Sequence, residues 1–324
     1  MKFEIKRERL VEGLNDVMKA VSSKTTIPIL TGIKMDVSTE GMRLTGSDSD
    51  ITIQTFIPTE EDGKQLIDVT EGGSIVLQAK VFGEIVRKLP TNEVEIEINS
   101  NFKTHIRSGK SEFHLIGLDA MDYPQLPDIQ DDRLFTIPAD LLKTINRETV
   151  FAVSSSETRP VLTGVHWEVK DGELVCVATD SHRLARRKTK LETLPEGEYS
   201  VVIPGKSLNE LNKILDDTSD PVEIVMTNQQ VLFNSNHILS FSRLLQRNYP
   251  DTSRLIPSEY KTTVTVNGRS LLQAIDRASL LAREERNNVV RFSTNEGSEV
   301  EVSSNSPEVG KVEEQLQAQS VDGE

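Results

Sequence analysis

The chain repeats itself, and this repetition limits the folds it can adopt more than any other feature of the sequence. Residues 20–33 read AVSSKTTIPILTGI, and residues 152–165 read AVSSSETRPVLTGV, 132 positions later. A second block recurs after 126 positions, because SIVLQAKVFGEIVRKL at 74–89 is answered by SVVIPGKSLNELNKIL at 200–215. Two similar structural units of about 130 residues are therefore expected.

A third, partial copy begins near residue 258. The segment TVTVNGRSLLQAIDRA at 263–278 parallels LFTIPADLLKTINRET at 134–149, and no counterpart of the second block follows it. The third copy therefore corresponds to the first half of a unit. The domains predicted from the repeats are residues 1–128, 129–257 and 258–324.

Each copy consists of two halves with the same predicted order: a strand, a helix and three strands. Leu10, Leu14 and Val17 recur at the spacing of one helical face, and VEIEI at 94–98 alternates like a strand with one exposed face. Proline and glycine lie between the predicted elements and not inside them. The predicted fold class is α+β, with mostly antiparallel sheets that carry pairs of helices on one face.

The composition excludes several classes of protein. The formal net charge of −14 argues against nonspecific adhesion to nucleic acid, although basic residues can still gather on one face. Cys176 is the only cysteine, so neither an intrachain disulfide nor a cysteine metal cluster can form. The N-terminal MKFEIKRERLVEG lacks the apolar core of a signal peptide, and no run is long enough to span a bilayer. We expect a soluble protein of the cytoplasm.

The stretch VATDSHRLARR at 177–187 places an aspartate, a serine and a histidine in consecutive positions, which are the parts of a hydrolase. Its counterpart in the first copy, SDS at 47–49, has the aspartate and the serine without the histidine. This favours a structural turn at Asp180 and Ser181, whose side chains cap backbone amides at strand ends. The residues private to the second copy begin at His182 and are candidates for binding.

Two segments resemble the end of a phosphate-binding loop, SGKS at 108–111 and PGKS at 204–207. That loop needs a glycine five positions before the glycine of its Gly-Lys pair, so that backbone amides can surround the phosphates. Thr104 and Ser200 occupy those positions. Both segments are therefore predicted to be turns next to a strand or a helix.

The histidines are predicted to bind no metal. None of them pairs with another at ligand spacing on a helix, and none stands beside a second type of ligand in the sequence. The histidines in question are His105, His114, His166, His182 and His237. We expect neither a metal site nor a cofactor.

Further motifs connect the copies to a known family. PILTG at 28–32 and PVLTG at 160–164 introduce matching strands, and ATDSHRLA at 178–185 follows the second of them. A Tyr-Pro pair follows the second block of each copy, at 123–124 and 249–250. With these motifs the whole chain resembles the bacterial DNA polymerase III beta subunit, the ring-shaped sliding clamp.

The resemblance implies a DNA-clamp fold without catalytic residues. Two chains of such a family close head to tail into a ring around duplex DNA, with helices inside and sheets outside. The implied partners are duplex DNA, the DNA polymerase III catalytic subunit, the clamp loader, and other polymerases and mismatch-repair proteins. A ring holds DNA by its topology, so a net charge of −14 no longer argues against a DNA partner.

The resemblance also assigns roles to individual positions. A pocket for short partner peptides would be formed by Arg159, Leu162, Thr179, His182, Arg183, Leu184, Pro250 and Leu255. Ring closure would join Ile85, Leu89 and Phe113 of one chain to Leu280 and Leu281 of the other. The residues that would face DNA are Lys24, Lys80, Lys143, Lys206 and Lys213.

The partial third copy has a consequence within this family. A complete third domain would supply the rest of the peptide pocket and of the ring-closing surface. With residues 258–324 as half a domain, we expect weaker dimerisation and weaker partner binding than in a chain that completes it.

Two other functions stay open from the residues alone. One is a hydrolase centred on Ser181 and His182, which would need an acid from elsewhere in the chain and a substrate pocket. The other is an interaction protein built from repeats that does not bind DNA. By charge pattern alone, the lysines and arginines on the predicted helices are ordinary solvated residues.

Overall fold

The computed structural model describes residues 1–126, 134–191, 197–246, 248–283, 288–295 and 298–323. The chain forms two compact units, Met1–Tyr249 and Pro250–Glu324. The first unit contains the two complete sequence copies. The second contains the partial third copy.

The first unit contains four α-helices among its described residues. They are α1 (Arg7–Val17), α2 (Ala79–Lys88), α3 (Ala139–Thr149) and α4 (Gly205–Asn212). Its strands in the first copy are β1 (Lys2–Lys6), β2 (Gly32–Ser38), β3 (Gly41–Ser47), β4 (Ile51–Pro58), β5 (Glu60–Glu61), β6 (Lys64–Gln65), β7 (Ile67–Glu71), β8 (Gly73–Gln78), β9 (Glu93–Ile98), β10 (Lys103–Ser108) and β11 (Ser111–Ile116). Its strands in the second copy are β12 (Leu134–Pro138), β13 (Gly164–Lys170), β14 (Glu173–Thr179), β15 (Leu184–Lys190), β16 (Tyr199–Pro204), β17 (Pro221–Met226), β18 (Gln230–Ser235) and β19 (Ile238–Arg243).

The predicted order of elements is confirmed in both complete copies. The second copy consists of β12-α3-β13-β14-β15 followed by β16-α4-β17-β18-β19, which are two halves of a strand, a helix and three strands. The first copy has the same halves, β1-α1-β2-β3-β4 and β8-α2-β9-β10-β11. It also carries the short hairpin β5–β6 and the strand β7, which pairs antiparallel with β1 and sets Phe3 opposite Val69.

The described strands of the first unit form three large sheets. Their strand orders are β11-β10-β9-β1-β7, β12-β17-β18-β19-β4-β3-β2-β8 and β15-β14-β13-β16. The eight-stranded sheet runs across both copies because β19 of the second copy pairs antiparallel with β4 of the first. In that pairing Phe241 stands opposite Thr52, and the Arg243 N–H donates to the Asp50 carbonyl over 2.9 Å.

The helices cover one face of these sheets, and their apolar sides form one continuous core with the strands. In α2 the buried side includes Phe82, Gly83 and Val86, so the prediction that glycine lies only between elements is wrong for this helix. A side chain at Gly83 would approach Met18 Sδ to 2.9 Å, so the glycine allows α2 to pack closely against the end of the first helix. Burial of each large apolar side chain stabilises the fold by about 1.5–3 kcal/mol.

The second unit has the single described helix α5 (Gly268–Ala282). Its strands are β20 (Thr262–Thr265), β21 (Arg291–Asn295), β22 (Glu299–Ser306), β23 (Gly310–Gln317) and β24 (Ser320–Gly323). They form the sheets β20-β24 and β21-β22-β23. The buried side of α5 carries the small residues Ala274 and Ala278, which pack with Val302 in a compact core.

The structure confirms the predicted fold class. The chain is α+β, and the strand pairings found in the described part of the chain are antiparallel. Among the described residues, no helix combines the length and the apolar character that crossing a bilayer requires.

Candidate functional site

The turn between β14 and β15 is built around the Asp180 carboxylate. Asp180 Oδ1 accepts hydrogen bonds from the backbone N–H groups of His182 over 2.9 Å and Arg183 over 3.0 Å. These two backbone bonds are the main reason why the pKa of Asp180 is lowered, and the nearby Arg183 guanidinium acts in the same direction. Ser181 adopts a φ of 79°, in the left-handed region. The prediction that Asp180 and Ser181 turn the chain is confirmed.

Thr179 holds this turn to the end of the second copy. Its hydroxyl donates to the Arg183 carbonyl over 2.7 Å and accepts from the Ser181 N–H over 3.1 Å. Its own N–H donates to the Tyr249 hydroxyl over 3.0 Å. The Tyr249 ring stacks on His166 with 5.1 Å between centroids, and burial raises the Tyr249 pKa. The Tyr-Pro pair recognised in the sequence is therefore fixed to the strand end by its tyrosine.

The arrangement of Ser181 and His182 is not that of a hydrolase. In these two described residues, no hydrogen bond joins the serine hydroxyl to the histidine imidazole. The Ser181 N–H donates to the Thr179 hydroxyl, and the His182 N–H donates to the Asp180 carboxylate. Nucleophilic catalysis by serine needs the base within hydrogen-bond reach of the hydroxyl. The geometry therefore gives the hydrolase hypothesis no support.

Six of the predicted pocket residues lie in the first unit. Leu162 is buried in the short 3-10 turn Pro160–Thr163, and Thr179 and Leu184 stand opposite each other at the end of the β14–β15 pair. The side chains of Arg159, His182 and Arg183 are exposed. The β14–β15 turn thus presents the Arg183 guanidinium and the His182 imidazole beside the half-buried Leu184.

Phe151 belongs to the same surface and was not predicted from the sequence. It is 58% exposed, and the Arg183 guanidinium lies 5.8 Å from the centroid of its ring. Cation–π contacts of this kind orient arginine on exposed aromatic rings. A large aromatic residue just before the repeated AVSS segment was the available sequence signal.

The other two predicted pocket residues belong to the second unit. Pro250 and Leu255 are both exposed there, and Leu255 is 61% exposed. The Leu255 N–H donates to the Thr252 carbonyl over 3.1 Å. Its side chain is therefore a large apolar group held on a local turn.

The residues predicted for ring closure differ widely in exposure. In the first unit, Leu89 is buried in the core, Ile85 is half-buried at its margin, and Phe113 is 36% exposed on the strand β11. In the second unit, Leu280 is 63% exposed on α5 and Leu281 is half-buried. β11 is an edge strand of its sheet, since it pairs only with β10 among the described strands.

Three of the five lysines predicted to face DNA are neutralised within the chain. Lys143 Nζ lies 2.6 Å from Asp217 Oδ1, Lys206 Nζ lies 2.5 Å from Asp48 Oδ2, and Lys213 Nζ lies 2.8 Å from Glu210 Oε1. Lys24 and Lys80 are exposed, and neither forms an ion pair with a described residue. Their charges are the ones most available to a polyanion.

The two GKS segments are turns, as predicted. SGKS at 108–111 connects β10 to β11, with Gly109 at a φ of 56°. PGKS at 204–207 ends β16 and begins α4.

The sequence argument against a metal site did not consider residues that strand pairing brings together. The β10–β11 hairpin sets His105 opposite His114, and Glu112 lies next to them. Strand pairing brings together residues that are nine positions apart, whereas the sequence argument considered only helical and adjacent spacing. The turn at 108–111 was the signal that could have revealed the pair.

Three family models match the chain in succession. They describe the N-terminal, central and C-terminal domains of the DNA polymerase III beta subunit, and they match residues 1–127, 136–251 and 253–324. The matches follow the order of the three sequence copies.

Individual relatives agree with the family models. A beta sliding clamp of Bacillus subtilis is 59% identical over 324 residues, covering 100% of this chain and 86% of the relative. A beta sliding clamp of Staphylococcus aureus is 48% identical and covers 100% of this chain and 85% of the relative.

Solved structures show the same fold. The crystal structure of the DNA polymerase sliding clamp from Bacillus subtilis superimposes with a TM-score of 0.97 at 59% identity, covering 100% of this chain and 85% of that one. The beta subunit from the DNA polymerase of Streptococcus pyogenes gives a TM-score of 0.93 at 37% identity, with the same coverage of 100% and 85%. The chain therefore belongs to the DNA polymerase III beta subunit family, the sliding clamps that serve DNA replication as non-catalytic processivity subunits.

Proposed function

We propose that the chain confers processivity on the replicative polymerase by encircling duplex DNA and by holding polymerase and repair partners through short peptides. The observation that carries this proposal is the match to sliding clamps along the whole chain, copy by copy. The repeated β-α-β-β-β halves support it because a ring needs similar units that join edge to edge, as β19 and β4 do inside the first unit.

The distribution of charge fits a protein that slides on DNA. Tight binding to duplex DNA requires many simultaneous phosphate contacts, and these would hold the protein in place. Here the net charge is −14, and Lys143, Lys206 and Lys213 are paired with carboxylates of the same chain. We propose that these three lysines, with Lys24 and Lys80, face the duplex through weak and exchangeable contacts.

The proposed docking surface for partner peptides combines apolar anchors with fixed polar groups. Leu162 and Leu184 supply apolar contacts, and the turn around Asp180 fixes the backbone that carries His182 and Arg183. Extended peptides bind in this way when pockets for their apolar side chains alternate with polar groups that contact their backbone. We propose Arg159 and Thr179 as further members of the surface, and Pro250 and Leu255 as members supplied by the second unit.

The peptides would come from proteins that act on DNA at the replication fork. We propose the DNA polymerase III catalytic subunit, the clamp loader, other polymerases and mismatch-repair proteins as the partners. All of them would compete for one surface, because each chain carries a single copy of the His182-Arg183-Leu184 sequence. The protein would act in the cytoplasm, where the chromosome is copied.

We further propose that two copies close the ring. Phe113 on the edge strand β11, together with Ile85 and Leu89, would meet Leu280 and Leu281 of the other copy. The exposed Phe113 and Leu280 side chains supply apolar area that such an interface would cover. The proposed domains are residues 1–128, 129–257 and 258–324, and each ring would then contain two sets of them.

A topological experiment tests this function. The protein is loaded by a clamp loader onto nicked circular DNA, and the DNA is then cut once with a restriction enzyme. A ring slides off the new ends, so the bound fraction should fall to background after cutting and should stay high on uncut circles. Retention on linear DNA would contradict encirclement and would indicate a protein that binds DNA at a fixed site.

A further inference from the structure

A cluster of possible metal ligands lies on the β10–β11 hairpin, and none of the roles proposed above uses it. His105 and His114 stand directly opposite each other in the strand register. Their imidazole rings are stacked, with 4.3 Å between centroids and 15° between planes. His105 Nε2 lies 3.4 Å from Glu112 Oε2, and one ligand atom from each of the three residues lies within 4.8 Å of the others.

The three side chains are only weakly engaged with the protein around them. His105 Nε2 is shielded from solvent and has no hydrogen-bond partner among the described residues, because its contact with Glu112 lacks hydrogen-bond geometry. The nearest competing cation is Arg107, whose Nε lies 3.5 Å from Glu112 Oε1. Glu97 stands opposite His105 on β9, but Lys2 Nζ already lies 3.3 Å from its carboxylate.

The types of ligand define the ion that would fit. Two imidazoles and one carboxylate favour zinc and its neighbours nickel, cobalt and copper, whereas magnesium and calcium prefer sites made only of oxygen. Tetrahedral zinc with bonds of 2.0–2.2 Å requires ligand atoms about 3.3–3.6 Å apart. The observed separations within 4.8 Å therefore need a closure of about 1 Å, which rotation of the exposed Glu112 and His114 side chains can supply.

The position in the sheet favours this closure. Glu112 and His114 project from an edge strand, and both side chains are exposed. His105 is fixed on the inner neighbour β10, so one ligand is held in place while two can adjust. Cross-strand residues of one sheet face lie close enough for their side chains to meet without backbone movement.

We propose that His105, Glu112 and His114 bind one transition-metal ion of the zinc type, with the remaining position open to water. The bound ion would join β10 to β11 through side chains in addition to their backbone hydrogen bonds. It would thereby stiffen the edge strand β11, which also carries Phe113 of the proposed ring-closing surface.

Calorimetric titration of the full chain with zinc chloride tests the proposal. The protein should carry no histidine tag and should first be stripped with a chelator. We expect saturable binding of one zinc ion per chain, binding of nickel at the same site, and no binding of magnesium. The proposal would be overturned if zinc showed no saturable binding, or if magnesium bound as strongly as zinc.

Variants locate the site. His105→Asn and His114→Asn should each weaken zinc binding at least about tenfold, and Glu112→Gln should weaken it less. His237→Asn is the matched control, because it removes an exposed histidine elsewhere in the same unit and should leave zinc affinity unchanged. Wild-type affinity in both His105→Asn and His114→Asn would refute the assignment.

A measurement on the unchanged chain avoids any effect of the substitutions on folding. Amide hydrogen exchange of residues 103–116 should slow when zinc is added, because the ion links the two strands. Exchange that does not change on saturation with zinc would show that the ion binds elsewhere.

Discussion

The two strand-end turns at residues 47–51 and 179–183 have the same backbone construction and different surroundings. In the first, Asp48 Oδ1 accepts from the N–H groups of Asp50 over 3.1 Å and Ile51 over 2.9 Å, as Asp180 does with the residues two and three positions after it. Ser49 and Ser181 have φ values of 82° and 79°. The repeat has therefore preserved the two backbone hydrogen bonds of the turn and the left-handed φ of its serine.

The turns differ in their last residue and in the side chain that pairs with the aspartate. Ile51 is buried, whereas Arg183, 132 positions later, is exposed. Asp48 binds Lys206 of the second copy, whereas Asp180 binds the Arg183 of its own turn. The turn at 47–51 thus helps to join the two copies, whereas the turn at 179–183 presents side chains to solvent.

The tyrosines that close the two copies show the same contrast. The Tyr123 hydroxyl donates to the Thr45 carbonyl over 3.4 Å, whereas the Tyr249 hydroxyl accepts from the Thr179 N–H over 3.0 Å. Tyr123 is buried and its pKa is raised far above the ordinary value by that burial. Tyr249 is half-buried, and burial raises its pKa as well. One tyrosine belongs to the interior, and the other borders the proposed docking surface.

The strongest test of the comparison removes side chains that only the second turn exposes. His182→Ala combined with Leu184→Ala should weaken binding of a clamp-binding peptide from the polymerase by about 1–3 kcal/mol, because both side chains are proposed anchors. Isothermal titration calorimetry measures this loss. The matched control is Asp50→Ala with Thr52→Ala, which changes the equivalent positions of the first turn and should leave the affinity unchanged. Equal affinity in the wild type and the first variant would remove the docking assignment.

A second test concerns the joining role of the first turn. Asp48→Ala should lower the free energy of unfolding by about 1–2 kcal/mol, because two backbone N–H groups and Lys206 lose their partner. Asp180→Ala should lower it less, since its turn is more exposed. Urea denaturation measures both losses.

Lys206→Met separates the two contributions to the effect at Asp48. It removes the ion pair and keeps both backbone hydrogen bonds, so its loss of stability should be a minor part of that in Asp48→Ala. Equal losses in Asp48→Ala and Asp180→Ala would show that the burial of the first turn adds nothing.

The smallest effect on stability is expected from His166 on β13 and from its counterpart in the first copy. Burial lowers the pKa of His166, and Glu168 only partly opposes this shift. Its neutral form therefore stabilises the fold above the ordinary histidine pKa of about 6.5, and this stability is lost as the pH falls through the lower folded value. Its counterpart in the first copy is Lys34.

Unfolding free energies at several pH values between neutral and mildly acidic measure this effect. His166→Gln should reduce the loss of stability on acidification, whereas Lys34→Gln should leave it unchanged. An identical pH dependence in the wild type and His166→Gln would mean that the stacking on Tyr249 tolerates the protonated ring.

Much of this architecture could be predicted because its signals are local. Hydrophobic periodicity gave the order of strands and helices, and the shared Asp-Ser pair gave the turns at Asp48 and Asp180. The contacts that could not be predicted connect distant positions. Examples are the pairing of β19 with β4 and the ion pair between Lys206 and Asp48, which lie 158 residues apart. Nothing in the spacing of either residue indicates the other.

For the candidate site, the local turn could be predicted, whereas the assignment of its residues to a peptide pocket stays a prediction. The family motif identified Thr179, His182 and Leu184, and the repeat distinguished the turn from the residues it carries. The contact between His105 and His114 was not predicted because it depends on the register of the β10–β11 strand pair. Phe151 escaped because an exposed aromatic ring beside a buried helix end has no periodic signature.

The continuous eight-stranded sheet has a consequence for how the chain can be divided. Its two copies are held together by main-chain hydrogen bonds between β4 and β19 and by a shared core, independently of the peptide that connects them. A gene split between the copies would therefore yield two fragments that recognise each other by strand complementation. In the intact chain the covalent connection ensures that the two copies are present in equal numbers. The strand pairing in the sheet is what holds them together.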